Sequence, residues 1–224
     1  MDTTATGTCA KAGSSTAVAS GATAYGSQAN AASTNATAVG FRSTAVQAGS
    51  VAIGYQAQAT GDPTTAIGSN STAAGNNSVA LGADATAVGN NSVALGNNSV
   101  ASQDNTVSVG TPGNERRITN IAPGVNATDA VNMSQLNSLS NSVSTLRTDM
   151  YGATAASMAM AGLPQPYAPG QYGMTAGAGT YHGQSALAVG FSGITADGKW
   201  VVKMSGSVDT RGGIGASAGV FHPF

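Results

Sequence analysis

The sequence predicts a mainly β protein with one long helix. Its parts are a parallel β-roll (solenoid) head, a trimeric coiled-coil stalk, and a 12-stranded trimeric transmembrane β-barrel anchor. Three observations carry this reading: a 14-residue period through the first half, a 3.5-residue apolar period from Leu136 to Met160, and alternation with period two through the last sixty or so residues. They divide the chain into a head (8–110), a neck (111–135), a stalk or lumen helix (129–162) and an anchor (163–224).

The first period is exact in register. Gly26, Gly40, Gly54, Gly68, Gly82, Gly96 and Gly110 lie fourteen apart. Before each stands a large β-prone residue, as in Ile53, Ile67, Leu81 and Leu95, and before that a small one, as in Ala52, Ala66, Ala80 and Ala94. Turn formers such as Asn76-Asn77, Asn90-Asn91 and Asp62-Pro63 separate the runs. A constant period with large and small residues in fixed slots marks a stacked repeat. Fourteen residues accommodate two strands of about five residues and two tight turns. Seven coils spaced by roughly 4.8 Å make a rod about 34 Å long, and Asn in recurring turn slots can stack in ladders. Both faces of the main strand are small or apolar, which implies burial on both sides. The roll is therefore expected to pack against copies of itself. At the start, Lys11 in the aliphatic slot and Ala12 in place of glycine suggest a frayed or capping turn.

Composition excludes several classes. With 8% charged residues and net charge −1, the chain offers no electrostatic case for binding nucleic acid. The repeat register and low charge argue against disorder. Cys9 is the single cysteine and cannot form an intrachain disulfide. No run of about 18 apolar residues suggests a transmembrane helix. Residues 1–30 lack the basic segment and apolar core expected of a signal peptide.

In the neck, Glu115, Arg116 and Arg117 form a dense charge cluster for so uncharged a chain. A salt-bridged junction between three chains is the expected role, with a polyanion site as the alternative. Thr128 and Asp129 read as a helix cap followed by an acid in the first turn. The heptad seam then runs through Leu136, Leu139, Val143, Leu146 and Met150, fading into Ala153, Ser157 and Met160. Gly152 is the helical glycine expected to permit close packing inside a lumen. Leu163-Pro164-Gln165-Pro166 stops the helix.

Four strands of about eleven residues are expected near 171–181, 185–195, 199–209 and 214–224, a length suited to a tilted membrane strand. Leu187, Val189, Phe191 and Ile194 fall on one face, opposite Ala186, Ala188, Gly190 and Ser192; Trp200, Val202, Met204 and Val208 oppose Lys203, Ser205, Ser207 and Asp209. The lipid-facing set is thus Leu187, Val189, Phe191, Trp200, Val202 and the terminal Phe224. Four strands cannot close a barrel, and a membrane tolerates no open sheet edge. Two chains give eight strands with no room for helices; three give twelve, with a lumen for three helices. The chain is expected to be a homotrimer.

The NSVALG repeats, the neck NERRITNIAPG…TDAVNMSQL and the four-strand C-terminal segment resemble trimeric autotransporter adhesins of the YadA type, over about residues 8–224. The resemblance implies a bacterial surface protein in the cell outer membrane, with left-handed parallel rolls side by side in its head. It also implies an anchor that exports and holds the head, and handling by the outer-membrane assembly machinery. The implied partners are host extracellular-matrix proteins or cell-surface receptors. Family members carry a secretion signal, so a mature or trimmed chain is expected. Family anchors tend to end in an aromatic with another two positions earlier; here Phe224 is present but His222 takes the earlier place.

No catalytic, cofactor-binding or metal-binding residues are expected. His182 and His222 fall on different strands, the carboxylates are scattered, and Gly177-Ala178-Gly179 and Gly213-Ile214-Gly215 lack the strand-to-helix context of a phosphate loop. The expected function is adhesion through the head, with no receptor-binding residue assignable. The alternative is a structural or shielding protein for autoaggregation or complement resistance. An enzyme is not expected.

Overall fold

The computed structural model describes residues 2–13 and 20–222. It contains two units, 1–119 and 120–224. In the first, short strands alternate between two parallel sheets: β1 (Thr4–Thr6), β2 (Lys11–Ala12), β3 (Thr23–Tyr25), β4 (Asn30–Ala31), β5 (Thr37–Val39), β6 (Thr44–Ala45), β7 (Val51–Ile53) and β8 (Gln58–Ala59). The series continues with β9 (Thr65–Ile67), β10 (Thr72–Ala73), β11 (Val79–Leu81), β12 (Thr86–Ala87), β13 (Val93–Leu95), β14 (Val100–Ala101) and β15 (Val107–Ser108). Odd-numbered strands stack into an eight-stranded sheet and even-numbered strands into a seven-stranded one. Register advances by one repeat per coil, as in Val79↔Val93↔Val107.

The strands are three and two residues long rather than five. The corners take the remainder, because each needs residues in the left-handed region. Asn70, Asp84 and Asn98 hold φ of 54 to 57°, and Asn77, Asn91 and Asn105 hold 52 to 58°. That requirement, together with side-chain ladders, accounts for the recurring asparagines. Asn76 Oδ1 accepts the Asp62 N–H, Asn90 Oδ1 that of Asn76, and Asp104 Oδ1 that of Asn90, at 3.2, 3.0 and 2.7 Å.

The roll's apolar interior is made of alanine. Ala24, Ala38, Ala52, Ala66, Ala80 and Ala94 from one sheet meet Ala31, Ala45, Ala59, Ala73 and Ala87 from the other, all fully buried. Serines fill corner slots and satisfy their hydroxyls locally: Ser43, Ser71 and Ser92 donate to the carbonyls of Gly40, Gly68 and Gly89. So narrow a section excludes Val, Ile and Leu, which point outward. The first coil differs from the sequence expectation. Thr4 pairs with Thr23 and Lys11 with Asn30, a shift of nineteen, so Lys11 lies in the second sheet and not in the aliphatic slot. The roll thus begins at Thr4, and five extra residues separate its first two coils.

In the second unit, α1 spans Met133–Ala161, starting later than Thr128-Asp129 suggests. Asn132 is its N-cap, forming a capping box with Gln135. Asp129 is occupied elsewhere: its Oδ2 accepts the N–H groups of Val125 and Asn126 at 3.0 and 2.9 Å. Gln135 also exchanges hydrogen bonds with both backbone groups of Gly124, tying the first helical turn to the neck.

β16 (Tyr172–Tyr181), β17 (Gln184–Ile194), β18 (Val201–Asp209) and β19 (Ile214–Phe221) form an antiparallel meander. One face receives α1: Gly152, Ala155, Ala156 and Ala159 are buried with Leu163, Ala186 and Ala188. Approach is close, since a Cβ on Gly177 would stand 3.0 Å from the Ala159 carbonyl oxygen. Ile194 shares the parity of Gly190 and Ser192, so it belongs to the inward face and not with Leu187. Trp200 precedes β18 and its ring lies 4.3 Å from that of His222. Phe224 lies outside the described residues.

Candidate functional site

Among the described residues, two surfaces outside the anchor sheet carry exposed apolar side chains in register. The first is the outer face of the odd-numbered head strands, where Tyr25, Ile53, Leu81 and Leu95, spaced by multiples of fourteen residues, are 37 to 60% exposed. The second is the N-terminal half of α1. Leu136, Leu139, Val143, Leu146 and Met150 are all more than half exposed, on a helix whose later residues are buried against the sheet. Apolar side chains repeating at 3.5 residues are the pattern of a coiled-coil seam.

The meander separates two chemistries by parity. Leu187, Val189 and Phe191 stand outward on β17, and Met204 and Val208 outward on β18. Val202 has the same parity but is half-buried. Ala186, Ala188, Gly190, Ser192, Ser205 and Ser207 are turned toward the helix side and buried. Gly152 meets the sheet at the β18–β19 end, where a Cβ would lie 2.9 Å from Asp209 Oδ2.

The charge cluster of the neck is not an ion-pair network within the chain. Arg116 clamps the last coil of the roll: Nη1 donates to Ser99 Oγ at 2.9 Å and to the Val109 carbonyl at 2.6 Å, while Nη2 donates to the Asn97 carbonyl. Glu115 accepts the Gly113 N–H, which lowers its carboxyl below the ordinary range. Arg117 is exposed. Among the described residues the one ion pair joins Arg211 to Asp149 at 2.9 Å.

One feature escaped the sequence reading. Phe41 and Tyr55 stack with centroids 5.6 Å apart, and the Arg42 guanidinium sits 5.1 Å from the Phe41 centroid. The signal was present: two aromatics fourteen apart, each directly after a repeat glycine. On a head surface of Ala, Ser, Thr and Asn, they form a local aromatic and cationic outcrop.

Three family profiles match in chain order. The YadA head domain repeat covers 31–57, 45–71, 59–85 and 87–111; the coiled stalk of trimeric autotransporter adhesins covers 117–157; the YadA-like membrane anchor domain covers 164–224. The chain belongs to the YadA-type trimeric autotransporter adhesins. Its four strands are one chain's share of a barrel closed by three, and the adhesin resides in the outer membrane and on the cell surface.

Similar proteins include the autotransporter adhesin EhaG of Escherichia coli O157:H7, 38% identical over 122 residues, and the autotransporter adhesin NhhA of Neisseria meningitidis serogroup B, 41% identical over 108. The matched regions take in 48% and 46% of this chain but only 8% and 18% of those proteins. Among solved structures, the collagen-binding domain of the Yersinia adhesin YadA is 32% identical, with 54% of this chain and 64% of that one covered at a TM-score of 0.40. A C-terminal YadA-like domain from Burkholderia pseudomallei is 31% identical, with 49% and 60% covered at a TM-score of 0.36.

Proposed function

We propose that this adhesin attaches a bacterium to host cells or extracellular matrix through its roll, and that its anchor exports and then holds that roll. The observation carrying the proposal is the head surface itself. It is a ladder of turns and outward aliphatics repeated at fixed spacing. A surface of that kind works by contact, and three copies in a trimer let weak contacts add. The named relatives are adhesins, which supports a binding role over catalysis.

In this reading Leu136, Leu139, Val143, Leu146 and Met150 close the three-chain seam. Leu187, Val189, Phe191, Trp200 and Val202 face lipid, and Gly152 lets the helix lie in the lumen. Arg117, unlike Arg116, remains available to neighbouring chains. Insertion of the barrel falls to the outer-membrane assembly machinery. Host matrix proteins or cell-surface receptors are the partners.

The test is solid-phase binding of the intact, detergent-solubilised trimer to collagens, fibronectin and laminin, alongside adhesion of expressing cells. Moderate salt is expected to change binding little, because few charges are available. Deleting residues 76–103, two whole repeats, keeps register and is expected to weaken adhesion. A variant lacking the head that reaches the surface and adheres as well as the intact protein would refute the assignment. Cell clumping or complement resistance without any matrix binding would favour the shielding role.

A further inference from the structure

A single turn of α1 is gripped by the anchor sheet through directional contacts. Asp149 Oδ1 accepts from Arg211 Nε at 2.9 Å. Arg211 lies in the β18–β19 turn, whose shape Asp209 fixes by accepting the N–H groups of Arg211 and Gly213 on Oδ1, at 2.8 and 2.9 Å. Gly152 faces the same carboxylate, too close for a side chain. Across the helix, the Tyr151 ring stacks on His182 at 4.7 Å and 21°, and Tyr181 meets both rings edge-on. His182 opens the two-residue turn between β16 and β17 at φ 47°, a conformation that Asn or Gly adopts with less strain. A histidine there is better explained by its ring's contact than by the turn.

The rest of the interface is smooth. From Ala155 to Ala159 the helix lies against Gly177, Gly179, Ala186 and Ala188, and among the described residues no hydrogen bond joins α1 to the sheet there. Small residues permit close approach, but successive turns of the helix offer them nearly the same surface. Such a contact does not set how far the helix is drawn in. The turn at 149–152 does, because its partners sit on two hairpin ends of the sheet.

We propose that Asp149, Tyr151 and Gly152 form a latch with Arg211, His182 and Asp209 that fixes the depth of α1 in the finished barrel and closes the mouth at that rim. The inference rests on the reading of the anchor as an export barrel. These are positioning residues: in the trimer three copies ring one opening, so each weak exposed contact counts three times.

The test is channel conductance of the full-length trimer in planar bilayers, with heat-resistant trimer on gels as the check of assembly. Surface display of the head is followed by antibody on intact cells. The wild type is expected to stay mostly closed. Arg211→Gln and Tyr151→Ala are expected to raise the open fraction roughly tenfold, three weak pairs acting together. Tyr151→Phe keeps the ring and is expected to stay closed. Asp149→Arg combined with Arg211→Asp keeps both charges and is expected to return toward wild type. That swap tests the pair even if Arg211→Gln fails to assemble. Single variants as closed as wild type, or a swap as open as Arg211→Gln, overturn the latch. Absence of the head from cells producing the wild-type chain would instead overturn the export reading beneath it.

Discussion

Replacing Gly68 by alanine isolates what the repeat glycine does. Its φ is +134°, and a Cβ there would lie 2.3 Å from the Gly82 carbonyl oxygen and 2.4 Å from its carbon. Neither atom can move alone. The Gly68 N–H donates to Ile53 O and the Gly82 N–H to Ile67 O, both at 2.8 Å, so separating the coils breaks the ladder. Backbone strain of about 1–3 kcal/mol adds to one or two ladder hydrogen bonds at about 1 kcal/mol each. The sum is roughly 2–5 kcal/mol per chain. Gly49 is the control: its φ is +70°, and a Cβ would meet nothing within 4 Å. Gly49→Ala carries only the left-handed penalty of about 1–2 kcal/mol. Amide exchange on the intact trimer reads the difference by segment. Protection across 65–82 is expected to fall about thirtyfold or more in Gly68→Ala, at tenfold per 1.4 kcal/mol. Equal losses in the two variants would show that coil-to-coil approach is not what reserves the slot for glycine.

Three further outcomes are expected. Leu139→Asp or Leu146→Asp places three carboxylates in one layer of the seam; the trimer should lose several kcal/mol and dissociate on light scattering under conditions where the wild type stays intact. Val189→Arg should cost about 2–4 kcal/mol at the bilayer midplane, read by urea titration of barrel folding into vesicles, whereas Gly190→Trp should obstruct the helix side without altering lipid contact. The Asp129 carboxyl is held below its ordinary value of 3.8 by the N–H groups of Asn126 and then Val125. A depressed acid stabilises the fold above its unfolded pKa and loses that contribution as pH falls through the folded value. Pepsin cleavage at the neck should therefore accelerate from about pH 4 downward, and Asp129→Asn should abolish the step.

Much of the architecture could be read from residue spacing, because both periods have a physical cause. The fourteen-residue register survives from β3 to β15 since each coil hydrogen-bonds the next at the same offset. Outward and inward parity on β17 follows from alternation, except that Ile194 is apolar yet shares the inward parity of Gly190 and Ser192. Other features depended on contacts that no local pattern contains. Asp129 looks like a helix-capping acid until its carboxylate is seen bound in the neck turn, leaving the cap to Asn132. Arg116 looks like half of a salt bridge, and within the chain its guanidinium also donates to carbonyls and a hydroxyl of the last coil. The shift in the first coil was hidden because Lys11-Ala12 could be aligned to the wrong sheet.

The constant offset between coils also bears on how such a protein changes over generations. Adding or removing any whole multiple of fourteen residues leaves every alanine facing inward, every turn asparagine over its neighbour and every backbone bond in place. Each unit gained or lost alters the rod by a single strand spacing, about 4.8 Å. Reach therefore varies in even increments at little risk to folding. Insertions of other lengths shift the pairing offset between coils, which is nineteen rather than fourteen from β1 to β3. Length is the heritable variable this construction leaves free, and the anchor and stalk need not change with it.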